Sequence, residues 1–134
     1  MTTLEISFKF NIYNIDYFDG VLELPEFKII HSKKILGCFT CMLDFDDSLY
    51  NPVIEISDAY LYTEEQFRNL LLHEMIHYYL AYTQEDINVT HGKAFKKLAK
   101  RFNDKYGLNI TTTTDATLFI RNKKKNWFSR LFGK

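Results

Sequence analysis

Three stretches of the chain carry helix-length apolar patterns. Residues 63 to 81 open with Thr63, have Gln66 three positions on, and continue as an apolar-rich run to about Ala81. That is capping-box spacing ahead of a long hydrophobic segment, and it predicts the strongest helix of the chain. From about His91 to Tyr106, Phe95, Leu98, Ala99, Phe102 and Tyr106 fall on one helical face, with Lys93, Lys96, Lys97, Lys100 and Arg101 on the other. Gly107 is a natural stop for that helix. Thr2 and Glu5 repeat the capping spacing before an aromatic and aliphatic run at 4–18, which predicts a first helix ending near Asp19-Gly20. The alternation in "LEISFKFNI" also fits a strand, so the beginning of this element has two readings.

Shorter β-prone runs lie between the helices. "FKIIH" at 27–31, "ILGCFTCML" at 35–43 and "VIEIS" at 53–57 read as strands, with "DFDDSLYNP" as an acidic turn. "TQEDINVT" reads as a loop, and "ATLFIR" as a strand after a threonine run. The order is helix, strands, helix, helix. It predicts a compact α+β domain with an N-terminal helix, a small sheet of three to four strands and two further helices.

Length and charge refine this picture. At 134 residues there is room for one core. We expect a domain over residues 1–121 and a basic, aromatic tail over 122–134. Residues 1–91 hold 5 Lys/Arg against 15 Asp/Glu, a net −10, whereas residues 92–134 hold 12 against 2, a net +10. The basic third is either a footprint for an anionic partner such as nucleic acid or the counterweight to the acidic part. No transmembrane stretch is evident, the N-terminus lacks secretory-signal features, and two cysteines make no disulfide framework. The expected location is the cytoplasm.

The chemistry concentrates in "HEMIH". His73 and His77 stand at i and i+4, so a helix rotates about 400° between them and separates them by about 6 Å along its axis. Two imidazoles so placed can bind one Zn²⁺ at roughly 2.0–2.1 Å each. Glu74, about 100° around the axis, can act on a water at the metal without becoming a ligand. A catalytic zinc generally takes three protein ligands. His91, returned by the 83–90 loop and followed by the permissive Gly92, is the third candidate. One Zn²⁺ per chain is the expected cofactor.

"LLHEMIHYYLAYT", "HGKAF" and "YGLNI" together resemble the SprT family of metallopeptidases, to which Spartan belongs. The pattern of HExxH, a downstream His-Gly-x-x-Phe and a later Gly-x-x-Ile is matched at His73, Glu74, His77, His91, Gly92, Phe95, Gly107 and Ile110. "YFDGVLELPEFKI", "LGCF" and "IEIS" are similar to the same family, and the likeness covers roughly residues 5 to 112. The resemblance implies a zincin fold and a zinc-dependent endopeptidase with Glu74 as general base. It also implies protein substrates, among them proteins bound to DNA. DNA, single-stranded or otherwise, is thus a candidate partner for Lys93, Lys96, Lys97, Lys100 and Arg101, although such a row is also an ordinary solvated helix face. No cysteine after residue 41 provides the zinc ribbon that many SprT-like proteins carry.

A second reading is a non-catalytic nucleic-acid-binding module that zinc stabilises; Glu74 argues against it, since a structural site needs no base. Cys38 and Cys41 form a lone CxxC without the second pair a zinc site requires. His31 has no partner in its local sequence. In the tail, Trp127, Phe128, Leu131 and Phe132 would share one side of a helix. They suit nucleic-acid stacking, an anionic membrane surface, or docking on the domain itself.

Overall fold

The computed structural model describes residues 1–123. Its first helix, α1, spans Thr3–Phe18 and takes the helical rather than the strand reading. Thr2 caps it by accepting the Glu5 N–H at 3.1 Å. At its far end Asp19 adopts a left-handed φ of 54° and Gly20 one of 72°. The buried Asn14 side chain then clamps the departing chain, donating to Leu22 O at 2.7 Å and accepting from Leu22 N at 3.2 Å.

Three strands follow: β1 (Glu26–Ile30), β2 (Gly37–Leu43) and β3 (Leu49–Ser57). They form one sheet in the order β1-β3-β2, with β1 parallel and β2 antiparallel to β3. The β2–β3 register shifts between Thr40 and Met42, a bulge that bends the hairpin. The acidic segment is shorter as a turn than its composition predicts, because pairing with β2 draws Leu49 to Pro52 into β3.

A two-residue strand, β4 (Tyr60–Leu61), leads into α2 (Glu64–Tyr82), and α3 covers Lys93–Tyr106. The "ATLFIR" segment is mostly not a strand. Asp115 accepts the Thr117 N–H and hydroxyl and winds Ala116–Leu118 into a 3₁₀ turn, leaving only β5 (Ile120–Arg121) to pair with β4. The α+β expectation holds, with a three-stranded sheet plus this separate two-stranded ribbon.

The core lies where α1 and α2 cover one face of the sheet and α3 packs on α2. Ile6 and Phe10 from α1, Ile54 and Ile56 from β3, Leu71, Leu72, Met75 and Ile76 from α2, and Phe95 from α3 are fully buried. Each such side chain contributes on the order of 1.5–3 kcal/mol relative to exposure. Tyr78 ties layers together: its ring stacks on Phe39 at 5.3 Å and its hydroxyl donates to Glu23 O at 2.9 Å. Among the described residues no helix is long and apolar enough to cross a membrane. Of the basic aromatic tail, residues 124–134 lie outside the described residues.

Candidate metal centre

The capping box predicted at the start of α2 is formed. Thr63 accepts the Gln66 N–H at 3.1 Å, and the Gln66 side chain accepts the Thr63 N–H at 3.0 Å. The helix started there carries His73 and His77 to one face, with ring centroids 5.0 Å apart. His91 joins them from a loop rather than from a helix, since α3 begins at Lys93 with Gly92 as its N-cap.

That loop is organised by Asp86, whose carboxylate accepts from Asn88 N–H (3.2 Å), Thr90 N–H (2.9 Å) and the Thr90 hydroxyl (2.7 Å). Within it Val89 is held at φ 54°, a conformation β-branched residues seldom adopt. The turn delivers His91 to the other two imidazoles. Its Nε2 stands 3.0 Å from His73 Nε2 and 3.1 Å from His77 Nε2. Beneath them lies the fully buried Phe95 ring, with centroids 4.7 Å from His73, 4.7 Å from His77 and 5.1 Å from His91.

The donor chemistry fits a cation. Thr111 O lies 2.7 Å from His73 Nδ1. A carbonyl oxygen can only accept, so Nδ1 carries the proton and His73 Nε2 presents a bare lone pair. His77 and His91 aim their own Nε2 atoms at the same point, and three imidazole nitrogens cannot satisfy one another there. Three nitrogens about 2.0–2.1 Å from a tetrahedral ion stand roughly 3.3 Å apart, close to the spacing found. Among the described residues this trio is the group of His, Cys, Asp or Glu that could hold a metal ion, with ligand atoms all within 4.8 Å of one another.

Burial sets the protonation states. It pushes His73 down to about 4, aided by His91 and opposed by the Thr111 bond, and pushes His77 down to about 3, aided by both other histidines. Neutral imidazoles are the form a metal requires. Burial also pushes the Glu74 carboxyl up to about 8. Glu74 is 4% exposed, and its Oε2 sits 4.0 Å from His73 Nε2.

Three supports are invisible in motif reading. Asn103 of α3 donates to Ile110 O at 2.9 Å and accepts from Ile110 N at 2.8 Å, fixing the segment whose next carbonyl, that of Thr111, orients His73. Gly37 of β2 lies directly against Glu74. Asp86 shapes the loop before His91, and the Asp86–Thr90 spacing is the one local signal that could have pointed to it.

The remaining candidates lie elsewhere. Lys93, Lys96, Lys97, Lys100 and Arg101 are all exposed along α3, with Lys100 paired to Asp104 at 2.7 Å. Cys38 and Cys41 are free and half-buried, and burial raises both thiols. His31 finds a distant partner, Asp58, with Nδ1 2.6 Å from Oδ1.

No curated protein and no solved structure matches the chain significantly. The sequence model of the SprT-like family matches residues 7–114, a span that includes all three histidines, Glu74, Gly37 and Asn103. SprT-like domains are metalloprotease-type domains, and the chain belongs to the SprT-like family.

Proposed function

We propose that this protein is a zinc-dependent endopeptidase of SprT-like type that acts on DNA-associated proteins. The convergence of three Nε2 atoms beside one buried carboxylate supports the reading most directly. His73, His77 and His91 would hold the ion; three histidines favour zinc among divalent metals. A bound zinc supplies Lewis-acid polarisation of the scissile carbonyl and acidifies a nearby water.

The chain's own groups then have defined tasks. Glu74 takes the proton of the attacking water and returns it to the departing amine. Burial raises the proton affinity of the metal-free carboxyl, which favours holding the proton between the two halves of that transfer, and a cation bound beside it would favour the ionised form that accepts the proton first. Thr111 O keeps His73 in the tautomer that leaves Nε2 available.

The sheet offers a way to hold substrate. Among the described residues β2 is an edge strand, and Ser57 N–H donates to Leu36 O at 2.8 Å. The antiparallel alternation therefore turns the N–H and C=O groups of Gly37 and Phe39 away from β3 and toward the open edge. An extended peptide added there would run past Gly37, beside Glu74. The adjoining cavity of about 480 Å³, lined by Asn69, His73 and Thr111 among others, would take a side chain of that peptide.

The DNA part of the reading rests on α3, whose exposed lysines begin two residues after His91. Phosphate contacts from that face would bring a DNA-bound protein to the site without sequence preference.

The test is cleavage of a basic DNA-binding protein, and of casein as a neutral comparison, by the zinc-loaded protein before and after chelation. Cleavage that disappears with chelator and returns with zinc supports the reading. Failure to cleave either substrate, with zinc verified in the protein, would favour a zinc-stabilised nucleic-acid-binding module.

A further inference from the structure

The cavity of about 480 Å³ beside His73 lies between the N-terminal part of α2 and the segment from Asn109 to Phe119. Gln66, Asn69, Leu70 and His73, at helical spacings of three and four, form its α2 wall. Two kinds of surface meet in it. Leu70, Leu118 and Phe119 make an apolar part, while Glu65 from α2 and Asp115 from the facing segment each bring a carboxylate. Among the described residues that line it there is no lysine or arginine.

The fold leaves polar capacity unused here. Asp115 accepts the Thr117 N–H (3.0 Å) and hydroxyl (2.6 Å) through Oδ1, and its Oδ2 has no partner among the described residues. The exposed Glu65 carboxylate has none there either. Asn69, one turn before His73, has a buried Oδ1 without a hydrogen-bond partner. Buried acceptors are nearly always paired, and a donor carried by an occupant would satisfy this one.

We propose that this cavity is a specificity pocket for a lysine or arginine side chain of the substrate, with Glu65 and Asp115 holding the cation and Leu70, Leu118 and Phe119 packing its stem. It rests on the peptidase reading above and names the side chain that peptidase prefers. Lysine and arginine join an apolar stem to a charged head, so they use both surfaces at once. A glutamate would meet like charge, and a leucine would leave both carboxylates unused. Because His73 is one wall, a side chain seated here belongs to a residue at or beside the bond being cut.

This selectivity agrees with a DNA-associated substrate. Proteins bound to DNA carry lysine and arginine against its phosphates. The lysines of α3 would then meet the nucleic acid, and the acidic cavity would select the bound protein's own cations.

One arm of the test reads cleavage by the zinc-loaded protein. Nα-acetylated quenched peptides of neutral sequence carry lysine, arginine, norleucine or glutamate in turn at each position around the cleaved bond. At one position lysine and arginine should exceed norleucine in kcat/KM by about tenfold, the scale of two partly exposed ion pairs, with glutamate below both. Glu65→Gln/Asp115→Asn should erase the difference between lysine and norleucine; asparagine keeps an oxygen for Thr117. Should the double variant lose its fold, Glu65→Gln alone should remove part of the discrimination.

The other arm reads binding without catalysis. In ¹H–¹⁵N NMR spectra of the zinc-loaded protein, Nα-acetyl-lysine methylamide should shift the amides of Asn69, Thr113 and Thr114, and its norleucine analogue should not. Cleavage with no preference for lysine or arginine at any position overturns the pocket and leaves the peptidase standing. Absence of all cleavage, with zinc verified, strikes the peptidase instead, and lysine-specific shifts would then keep the cation site. Shifts that are absent, or equal for the two probes, overturn that site whatever the catalysis.

Discussion

Gly37 on β2 and Glu74 on α2 are in contact: a Cβ added at residue 37 would stand 2.8 Å from Glu74 Oε2, 3.2 Å from its Cγ and 3.1 Å from Leu70 Cδ1. The strand backbone thus forms one wall of the carboxylate's niche, and a side chain at residue 37 would force Glu74 or Leu70 to shift. Gly37→Ala should leave zinc content unchanged, because no ligand is touched. It should lower kcat/KM by on the order of 10², the scale of an ångström-sized misplacement of a catalytic group. Overpacking should cost about 1–3 kcal/mol in urea unfolding. Full activity in this variant would remove Gly37 from any role in positioning Glu74.

The path from Asn103 through Ile110 to the Thr111 carbonyl gives a second expectation. Asn103→Ala frees the segment that orients His73 without altering the three ligands. Loss of such an outer support weakens metal affinity by about 10–100-fold. Competition with a chromophoric chelator would measure it. An unchanged affinity would mean that α2 alone fixes the His73 ring.

The metal-free protein should have a distinctive pH response. His73 and His77 have folded-state values near 4 and 3, below the ordinary 6.5, so as pH falls below 6.5 the unfolded chain gains protons that the fold refuses. Stability drops on that side. Glu74, raised to about 8 from 4.5, has the opposite sign: the fold keeps a proton that the unfolded chain has lost, and that advantage fades as pH rises toward 8. Together these groups place maximum stability near pH 6.5, where the histidines' losses begin and only Glu74 still titrates above. Urea unfolding of the metal-free protein across this range should give a dome, and Glu74→Gln should flatten its alkaline side. A Glu74→Gln profile identical to wild type would contradict the assignment.

The two helices that matter most were legible because capping residues and apolar spacing agree at Thr63–Gln66 and along Phe95, Ala99 and Phe102. Three histidines could be grouped from spacing and family likeness alone. What the chain did not reveal depends on contacts between segments distant in sequence. The Thr111 carbonyl that orients His73 is a backbone atom in a threonine run, Gly37 matters only because α2 crosses β2, and His31 pairs with an aspartate 27 residues away. "ATLFIR" misled because Asp115 captures Thr117 locally, a side-chain bond that competes with strand pairing. On α1 an apolar run reads as core on every side, whereas only one side of that helix meets the core.

The basic face of α3 makes a quantitative prediction. Replacing Lys96, Lys97 and Arg101 with alanine should weaken single-stranded DNA binding and flatten the dependence of log K on log salt. The slope should fall by about 0.7 for each phosphate that is no longer neutralised. Zinc content and casein cleavage should be unaffected, since these side chains are exposed on α3 and none of them is one of the three histidines or Glu74. A salt slope equal to that of wild type would reduce this face to a solvated helix surface.

The most direct test of the central claim is a comparison of zinc-loaded wild type with Glu74→Gln in cleavage of a basic DNA-binding protein, with zinc content measured in both. Glutamine keeps the shape of the side chain and the three ligands but cannot shuttle the proton. Equal zinc content with a rate reduced by about 10²–10⁴ would agree with Glu74 as the base of a metallopeptidase. Cleavage by the glutamine variant at the wild-type rate, with zinc bound in both, would contradict it.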